Sequence, residues 1–111
     1  MNRTEDIIHQ QSYTWFHNNF PQYRGLMFHV TNEGKRTNGS KLVGMGLISG
    51  IPDLVFILDG KAYGLECKSD TGSLSPTQIK IHAKWHEFNN PVFVFRSVEE
   101  FKAIIIMIIT K

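Results

Sequence analysis

Residues 50–68 read GIPDLVFILDGKAYGLECK, and this stretch decides the fold. An apolar, partly β-branched run at 54–58 is followed by Asp59 and Gly60, and then by a second run that ends at Glu66. Asp-Gly between two such runs is a strong signal for a β-hairpin with a two-residue loop. The sequence therefore predicts two antiparallel strands that turn at Asp59 and Gly60.

This hairpin places Asp53 opposite Glu66. With a two-residue loop Leu58 faces Lys61, and the facing pairs continue along both strands to the two acids. Facing side chains on one sheet face have Cβ atoms about 4.5–5.5 Å apart, so the carboxylates repel each other unless a proton or a cation lies between them. A hard divalent cation that accepts oxygens from both is the simplest solution. A bulge at Pro52 would shift this register by one residue.

Lys68 is predicted to join the two acids. Side chains alternate along a strand, so Lys68 projects from the same face as Glu66, and Cys67 projects from the opposite face. Taken separately, these residues have ordinary explanations: Asp53 opens a strand, and Glu66 and Lys68 form an exposed pair. Together, beside an apolar run that must be buried, they indicate a functional site. Cys67, the single cysteine, is interpreted as a small core residue.

Pro52-Asp53, a hairpin spacer and Glu66-Cys67-Lys68 together resemble the signature of the PD-(D/E)xK nucleases. With GIPDL at 50–54 and GSLSPTQ at 72–78, the chain is similar over most of its length to the VRR-NUC family, the virus-type replication and repair nuclease domain. The resemblance implies an α/β fold with a mixed central β-sheet flanked by helices. The predicted order of helix, strand, hairpin, helix, strand and helix agrees with that fold.

The residues of this motif have expected roles in metal binding and catalysis. Asp53 and Glu66 are the expected ligands of Mg²⁺ or Mn²⁺, and the resemblance adds the backbone carbonyl of Cys67. Lys68 is expected to orient the attacking water and to stabilise the negative charge that develops on the phosphate. The chain is therefore expected to be a metal-dependent endodeoxyribonuclease.

Two further residues have both a structural and a functional interpretation. Glu5 lies in the first turn of a predicted helix, where a carboxylate suits the positive end of the helix dipole; the resemblance implies instead that it reaches the metal. Gln78 completes a capping box with Ser75, and Pro76 follows that cap at the first helical position. The resemblance places this glutamine beside the metal as a catalytic residue whose amide holds a phosphate or a water.

The polar segment 31–41 is either a flexible solvated loop or a phosphate-contacting loop. The family resembles this chain here in having an asparagine followed by basic residues, although it usually has proline where this chain has Thr31. The nucleic-acid contacts that the resemblance implies in this segment are Asn32, Lys35, Arg36 and Lys41.

The helix that starts at Pro76 is predicted to run to about Phe88. Ile81, Trp85 and Phe88 form its apolar face. Lys80 and Lys84 lie one turn apart, and they are either a solvated face or a further contact to the DNA backbone.

Two other patterns are set aside. His82 and His86 have a spacing that zinc enzymes use, but they lack a nearby glutamate of the H-E-x-x-H type and an obvious third ligand, so zinc is not expected. Gly44-x-Gly46 lacks the third glycine and the preceding strand of a dinucleotide fingerprint, so no nucleotide cofactor is expected.

The remaining elements complete the predicted fold. They are a helix over 4–19, a strand over 26–30, a short helix over 41–49, a strand over 91–95 and a last helix that opens with a capping box at 97–100. The run 103–109 is apolar all round, which indicates a partner surface and hence a homodimer. A final buried β-strand is the competing interpretation of so many isoleucines.

Composition limits the class of protein. With 111 residues, 41% hydrophobic and 20% charged, the chain is expected to be one domain over 1–111. It has no run of about 20 apolar residues and its start lacks a signal-peptide core, so an intracellular, cytoplasmic protein is expected. A net charge of +2 permits contact with DNA without requiring it.

The resemblance implies a structure-specific enzyme that cuts branched DNA, such as a Holliday-junction-like or flap substrate, in phage or viral-type replication, recombination or repair. A dimer with two sites would suit such a substrate. The alternatives are a non-catalytic nucleic-acid-binding module that keeps the fold, and a sequence-specific restriction-type endonuclease. A chain of 111 residues leaves little room for a separate base-reading element.

Overall fold

The computed structural model describes residues 3–31 and 43–111. The helices in these ranges are α1 (Arg3–Asn19), α2 (Pro76–Glu87) and α3 (Val98–Ile109), and a short 3-10 turn (Pro21–Tyr23) follows α1. The strands are β1 (Met27–His29), β2 (Leu54–Leu58), β3 (Lys61–Cys67) and β4 (Val92–Phe95). The order of elements agrees with the order predicted from the sequence.

The four described strands form one mixed sheet in the order β1-β2-β3-β4. Strand β2 pairs antiparallel with β1 and with β3, whereas β4 is parallel to β3. The hairpin register is the predicted one, because Leu58 faces Lys61 and Leu54 faces Leu65 without a slip. Both turn residues have positive φ, 51° at Asp59 and 79° at Gly60, as a tight primed hairpin turn requires.

Alternation along β3 divides its side chains between the two faces of the sheet. Leu65 and Cys67 are buried in the main core with residues of α1 and α3, such as Phe16 and Phe101. Gly64 and Glu66 face the other way, toward Pro52 and α2. The sheet is therefore flanked by helices on both faces, which confirms the predicted fold class.

Segment 43–50 differs from the predicted short helix. Val43 and Gly44 are helical, but the chain then turns, and the N–H of Gly46 donates to the carbonyl of Val43. Gly46 has φ of +105°, a conformation that an α-helix does not contain. Residues 41 and 42 of the predicted helix lie outside the described ranges.

The apolar face predicted for α2 is partly wrong. Phe88 lies just after the helix and is 65% exposed, while Ile81 and Trp85 are half-buried. The buried residue of α2 is His82, which faces the sheet. This helix covers a polar region of the sheet, so its buried face is polar as well.

The end of the chain is a helix and not a strand. The hydroxyl of Ser97 accepts from the N–H of Glu100, but the carboxylate of Glu100 accepts from the N–H of Arg96 at 2.8 Å, so the predicted capping box is only half formed. Phe101, Ile105 and Ile108 are buried, while Ile106 and Met107 are exposed.

In the part of the chain that the structure describes, no helix has the length and apolarity needed to cross a membrane.

Candidate active site

Asp53 is held by both neighbouring strands. Its backbone carbonyl accepts from the N–H of Val30 at 2.9 Å and from Nδ1 of His29 at 3.0 Å. Its side-chain Oδ2 accepts from the N–H of Cys67 at 2.8 Å. The residue is 7% exposed. These bonds place the carboxylate over the end of β3, beside Glu66.

Two close glycine contacts direct the chain into Asp53. Gly50 has φ of +89° and lies against the start of α2, where an added Cβ would be 2.8 Å from the carbonyl oxygen of Thr77. Gly64 lies under Pro52, and a Cβ there would be 2.6 Å from the proline Cγ. No bulge shifts the register, because the flat surface of Gly64 accommodates the proline ring.

Glu66 is almost fully buried, with 1% of its surface exposed. Burial, followed by the negative charge of Asp53 and a hydrogen bond with its carboxylate, raises the pKa of Glu66 to about 9, while the charge of Lys68 lowers it. The raised pKa favours the protonated form of Glu66 at neutral pH. The two acids are close enough that they do not both ionise easily.

Gln78 connects Glu66 to the start of α2. Its Nε2 donates to Oε2 of Glu66 at 3.1 Å. Its Oε1 accepts from the N–H of Ser75 at 2.9 Å, and the Ser75 hydroxyl accepts from the N–H of Gln78 at 3.1 Å. The predicted capping box is confirmed, and the amide nitrogen remains available to the carboxylate.

His82 is a site residue that the sequence analysis missed. Its Nε2 lies 3.3 Å from Oε1 of Glu66, within ion-pair range, although the two atoms form no hydrogen bond. Burial, and next the charge of His86, lowers the pKa of His82, which favours the neutral ring. The separation of four residues from Gln78 was the available signal, since it places both side chains on one helix face.

His86 does not join His82. It is exposed, and its Nε2 accepts from the N–H of Val92 at 3.2 Å. The two histidines therefore make separate contacts: His82 contacts Glu66, and His86 contacts β4.

Glu5 and Arg96 hold the turn that follows Lys68. The carboxylate of Glu5, which is buried in the first turn of α1, accepts from the N–H of Ser69 at 3.2 Å. The guanidinium of Arg96 donates to the carbonyls of Ser69 and Gly72, at 2.7 and 2.6 Å. The carboxylate of Glu5 therefore lies next to the site, and its negative charge is one of the smaller causes that raise the pKa of Glu66.

Lys68 continues the strand beyond Cys67. Its N–H donates to the carbonyl of Phe95 at 3.0 Å, and its side chain is half-buried. Its positive charge stabilises the ionised form of Glu66.

Two of the predicted DNA contacts, Lys80 and Lys84, are described, and both lie away from Glu66. Lys80 and Lys84 are exposed, and each is two residues from Gln78 or His82 along α2. A helix turns about 100° per residue, so both lysines lie on the side of α2 away from Glu66. Asn32, Lys35, Arg36 and Lys41 lie outside the described residues.

The donor atoms of the site fit a hard divalent cation. Oε1 of Glu66 is buried and has no hydrogen-bond partner among the residues that the structure describes, and Asp53 is the adjacent carboxylate. Within residues 3–31 and 43–111, no three His, Cys, Asp or Glu side chains form a metal-binding group. A cation here would bind two carboxylates and a backbone carbonyl and would keep several waters, as Mg²⁺ prefers to do.

The architecture matches a known fold. A solved structure described as a "VRR_NUC domain protein" superposes with a TM-score of 0.79 and 16% sequence identity, and the match covers 96% of this chain and 88% of that one. The chain has a VRR-NUC fold. No protein-family model matches its sequence, and no curated protein matches it significantly. At 16% identity the likeness establishes the VRR-NUC fold, while the roles of the site residues are argued from their geometry.

Proposed function

We propose that this chain is a metal-dependent, structure-specific DNA endonuclease that hydrolyses phosphodiester bonds in branched DNA, of the Holliday-junction or flap type, in phage or viral-type replication, recombination or repair. The VRR-NUC fold supports a nuclease. The observation that carries the proposal is the pair of adjacent carboxylates of Asp53 and Glu66, which are 7% and 1% exposed; burial, and next the charge of Asp53, raises the pKa of Glu66 to about 9. A purely structural module has no need of such a repulsive pair.

Each residue of the site has its own role in this proposal. Asp53, Glu66 and the carbonyl of Cys67 would hold Mg²⁺ or Mn²⁺. When bound, that cation would lower the pKa of a coordinated water and provide counter-charge for the pentacoordinate phosphate. Lys68, whose ammonium only donates, would orient the attacking water and stabilise the developing negative charge.

Gln78 and Glu5 have supporting roles in this proposal. The amide nitrogen of Gln78 has two hydrogens, so one can bind Glu66 while the other holds a water or a phosphate oxygen. Glu5 is proposed as an additional metal ligand. Glu5→Gln keeps an acceptor for the N–H of Ser69 but removes the charge, so weaker Mn²⁺ binding in a protein of unchanged stability would support the ligand role.

The test uses end-labelled DNA as single strand, linear duplex, flap and four-way junction. The protein is incubated with Mg²⁺ or Mn²⁺, with an EDTA lane and Asp53→Ala as control. Metal-dependent cutting that is confined to branched DNA and lost in the variant supports the proposal. Discrete fragments from random linear duplex would indicate the restriction-type alternative instead. Binding in a gel shift without any cutting would favour the non-catalytic module.

A homodimer is also proposed, with α3 as its interface. Ile106 and Met107 are 46% and 42% exposed on this helix. Exposed apolar side chains of this size favour a protein partner, and two active sites would suit a substrate with two strands to cut. Light scattering after gel filtration should give the dimer mass for the native chain and the monomer mass for Ile106→Glu. A monomeric native chain would refute this assembly.

DNA is the proposed partner of the basic residues. Asn32, Lys35, Arg36 and Lys41 stay predicted phosphate contacts near the site, and Lys80 and Lys84 stay predicted contacts of the DNA backbone. Charge-removing substitutions of these lysines should weaken DNA binding and reduce its salt dependence.

A further inference from the structure

We infer that His82 is a positioning residue for Glu66, and that His82 and Gln78 together clamp both oxygens of this carboxylate from one face of α2. The inference deepens the proposed function and rests on it where Glu66 is taken as a metal ligand. The clamp itself is a feature of the metal-free chain and is testable without a metal.

The contacts come from residues four apart on one helix. Nε2 of Gln78 lies 3.1 Å from Oε2 of Glu66, and Nε2 of His82 lies 3.3 Å from Oε1. Residues at this separation lie side by side on a helix surface. One rigid element therefore contacts both oxygens of one carboxylate.

The second contact of the clamp joins two buried polar atoms that have no other hydrogen-bond partner among the described residues. Oε1 of Glu66 and Nε2 of His82 are both buried, and neither has a hydrogen-bond partner among the described residues. Buried polar groups are nearly always paired in folded proteins. A proton on Nε2 of His82, donated to Oε1, pairs both atoms after a small rotation of either side chain. Hydrogen bonds at such sites are often long until the ligand is bound.

The helix that carries the clamp is itself held in place. Its first turn is tied by the capping box between Ser75 and Gln78, and its Thr77 packs against Gly50 of the segment that leads into Asp53. The same helix therefore positions both acids, Asp53 through the incoming chain and Glu66 through the clamp.

The clamp has a consequence for metal binding. A carboxylate has about four lone-pair positions, and Gln78 and His82 take one on each oxygen. Because these two contacts fix the orientation of the Glu66 carboxylate, its remaining lone-pair positions point toward Asp53. Partners that orient a metal ligand in this way typically change metal affinity by about 10–100-fold when they are removed.

The first experiment measures Mn²⁺ affinity by calorimetric titration. His82→Phe keeps a ring of similar shape without a donor, and we expect it to weaken Mn²⁺ binding at least about tenfold. His82→Gln restores a donor and should recover most of that affinity. His86→Phe is the matched control one turn further along the helix, because the ring of His86 contacts the N–H of Val92 and not Glu66, and it should bind as the native chain does. Native affinity in His82→Phe, or an equal loss in both His82 variants, would overturn the inference.

The second experiment uses the metal-free native chain. Long-range ¹H–¹⁵N spectra should show the His82 ring as the neutral tautomer with its proton on Nε2, and Glu66→Gln should shift that nitrogen signal while leaving the His86 signals in place. A proton on Nδ1, or no response to Glu66→Gln, would overturn the clamp. If the native chain binds no Mn²⁺, the proposed function fails and this spectrum still decides the inference.

Discussion

The backbone N–H of Cys67 donates a 2.8 Å hydrogen bond to Oδ2 of Asp53, which joins the two acid-bearing strands beyond the end of their ladder. Asp53→Asn keeps an oxygen acceptor for this bond, whereas Asp53→Ala leaves a buried N–H unpaired. We expect both variants to lose Mn²⁺ binding and DNA cleavage. Only Asp53→Ala should lose stability, by about 1–3 kcal/mol in urea unfolding. Cleavage by Asp53→Asn at the native rate would contradict the assigned role.

Lys68→Ala separates metal binding from chemistry. The side chain contributes charge near Glu66 but is not a proposed ligand, so the variant should still bind Mn²⁺ in a calorimetric titration. Cleavage should fall by about 100-fold or more, as is typical when one group that stabilises a developing charge is removed. Lys61→Ala, at the exposed start of the same strand, is the control and should cleave normally.

The stability of the metal-free chain should depend on pH through Glu66. The pKa of this residue is about 9 in the folded chain against 4.5 for an ordinary glutamate. A raised pKa means that the folded state binds the proton more tightly, so its stabilising effect is fully present below about pH 4.5 and is lost as the pH rises toward 9. Unfolding in urea with EDTA should show stability falling between pH 6 and 9, with a limiting slope of about 1.4 kcal/mol per pH unit.

Glu66→Gln is the control for that pH dependence. It keeps the shape of the side chain but has no proton to lose, so most of the decrease in stability between pH 6 and 9 should disappear. An identical decrease in the native chain and in Glu66→Gln would assign the effect to other groups.

Gly64→Ala tests the approach of the chain to Asp53. The added Cβ would be 2.6 Å from Cγ of Pro52 and 3.0 Å from Cγ2 of Val92, so the proline must move. We expect a loss of about 1–3 kcal/mol in the free energy of unfolding, together with reduced Mn²⁺ affinity because Asp53 moves with Pro52. At Gly44 a Cβ would meet nothing within 4 Å, so Gly44→Ala should cause neither effect.

The hairpin and its register were predictable because their cause is local. Asp59 and Gly60 adopt the positive φ values of a tight turn, and a two-residue turn determines every facing pair back to Leu54 and Leu65. The capping box of Ser75 and Gln78 was predictable for the same reason, since its partners lie within one helical turn. Such interactions depend on neighbours in the chain.

Other features depended on partners that the local motifs do not specify. The second predicted capping box is half formed because the N–H of Arg96, outside the box, takes the carboxylate of Glu100. The hydrogen bond of Glu5 to Ser69 joins residues 64 positions apart, which no spacing rule detects. Competing partners of this kind become visible only when the chain is folded.

The sequence by itself determined the hairpin, the opposition of Asp53 to Glu66 and the start of α2, because turn chemistry and strand alternation act over a few residues. Helix spacing places His82 on the same face as Gln78 and places Lys80 and Lys84 on the other side, but only the tertiary structure decided which face meets Glu66. The rotation of α2 about its axis sets that choice, and the contacts of Thr77 with Gly50 and of His86 with Val92 of β4 determine the rotation.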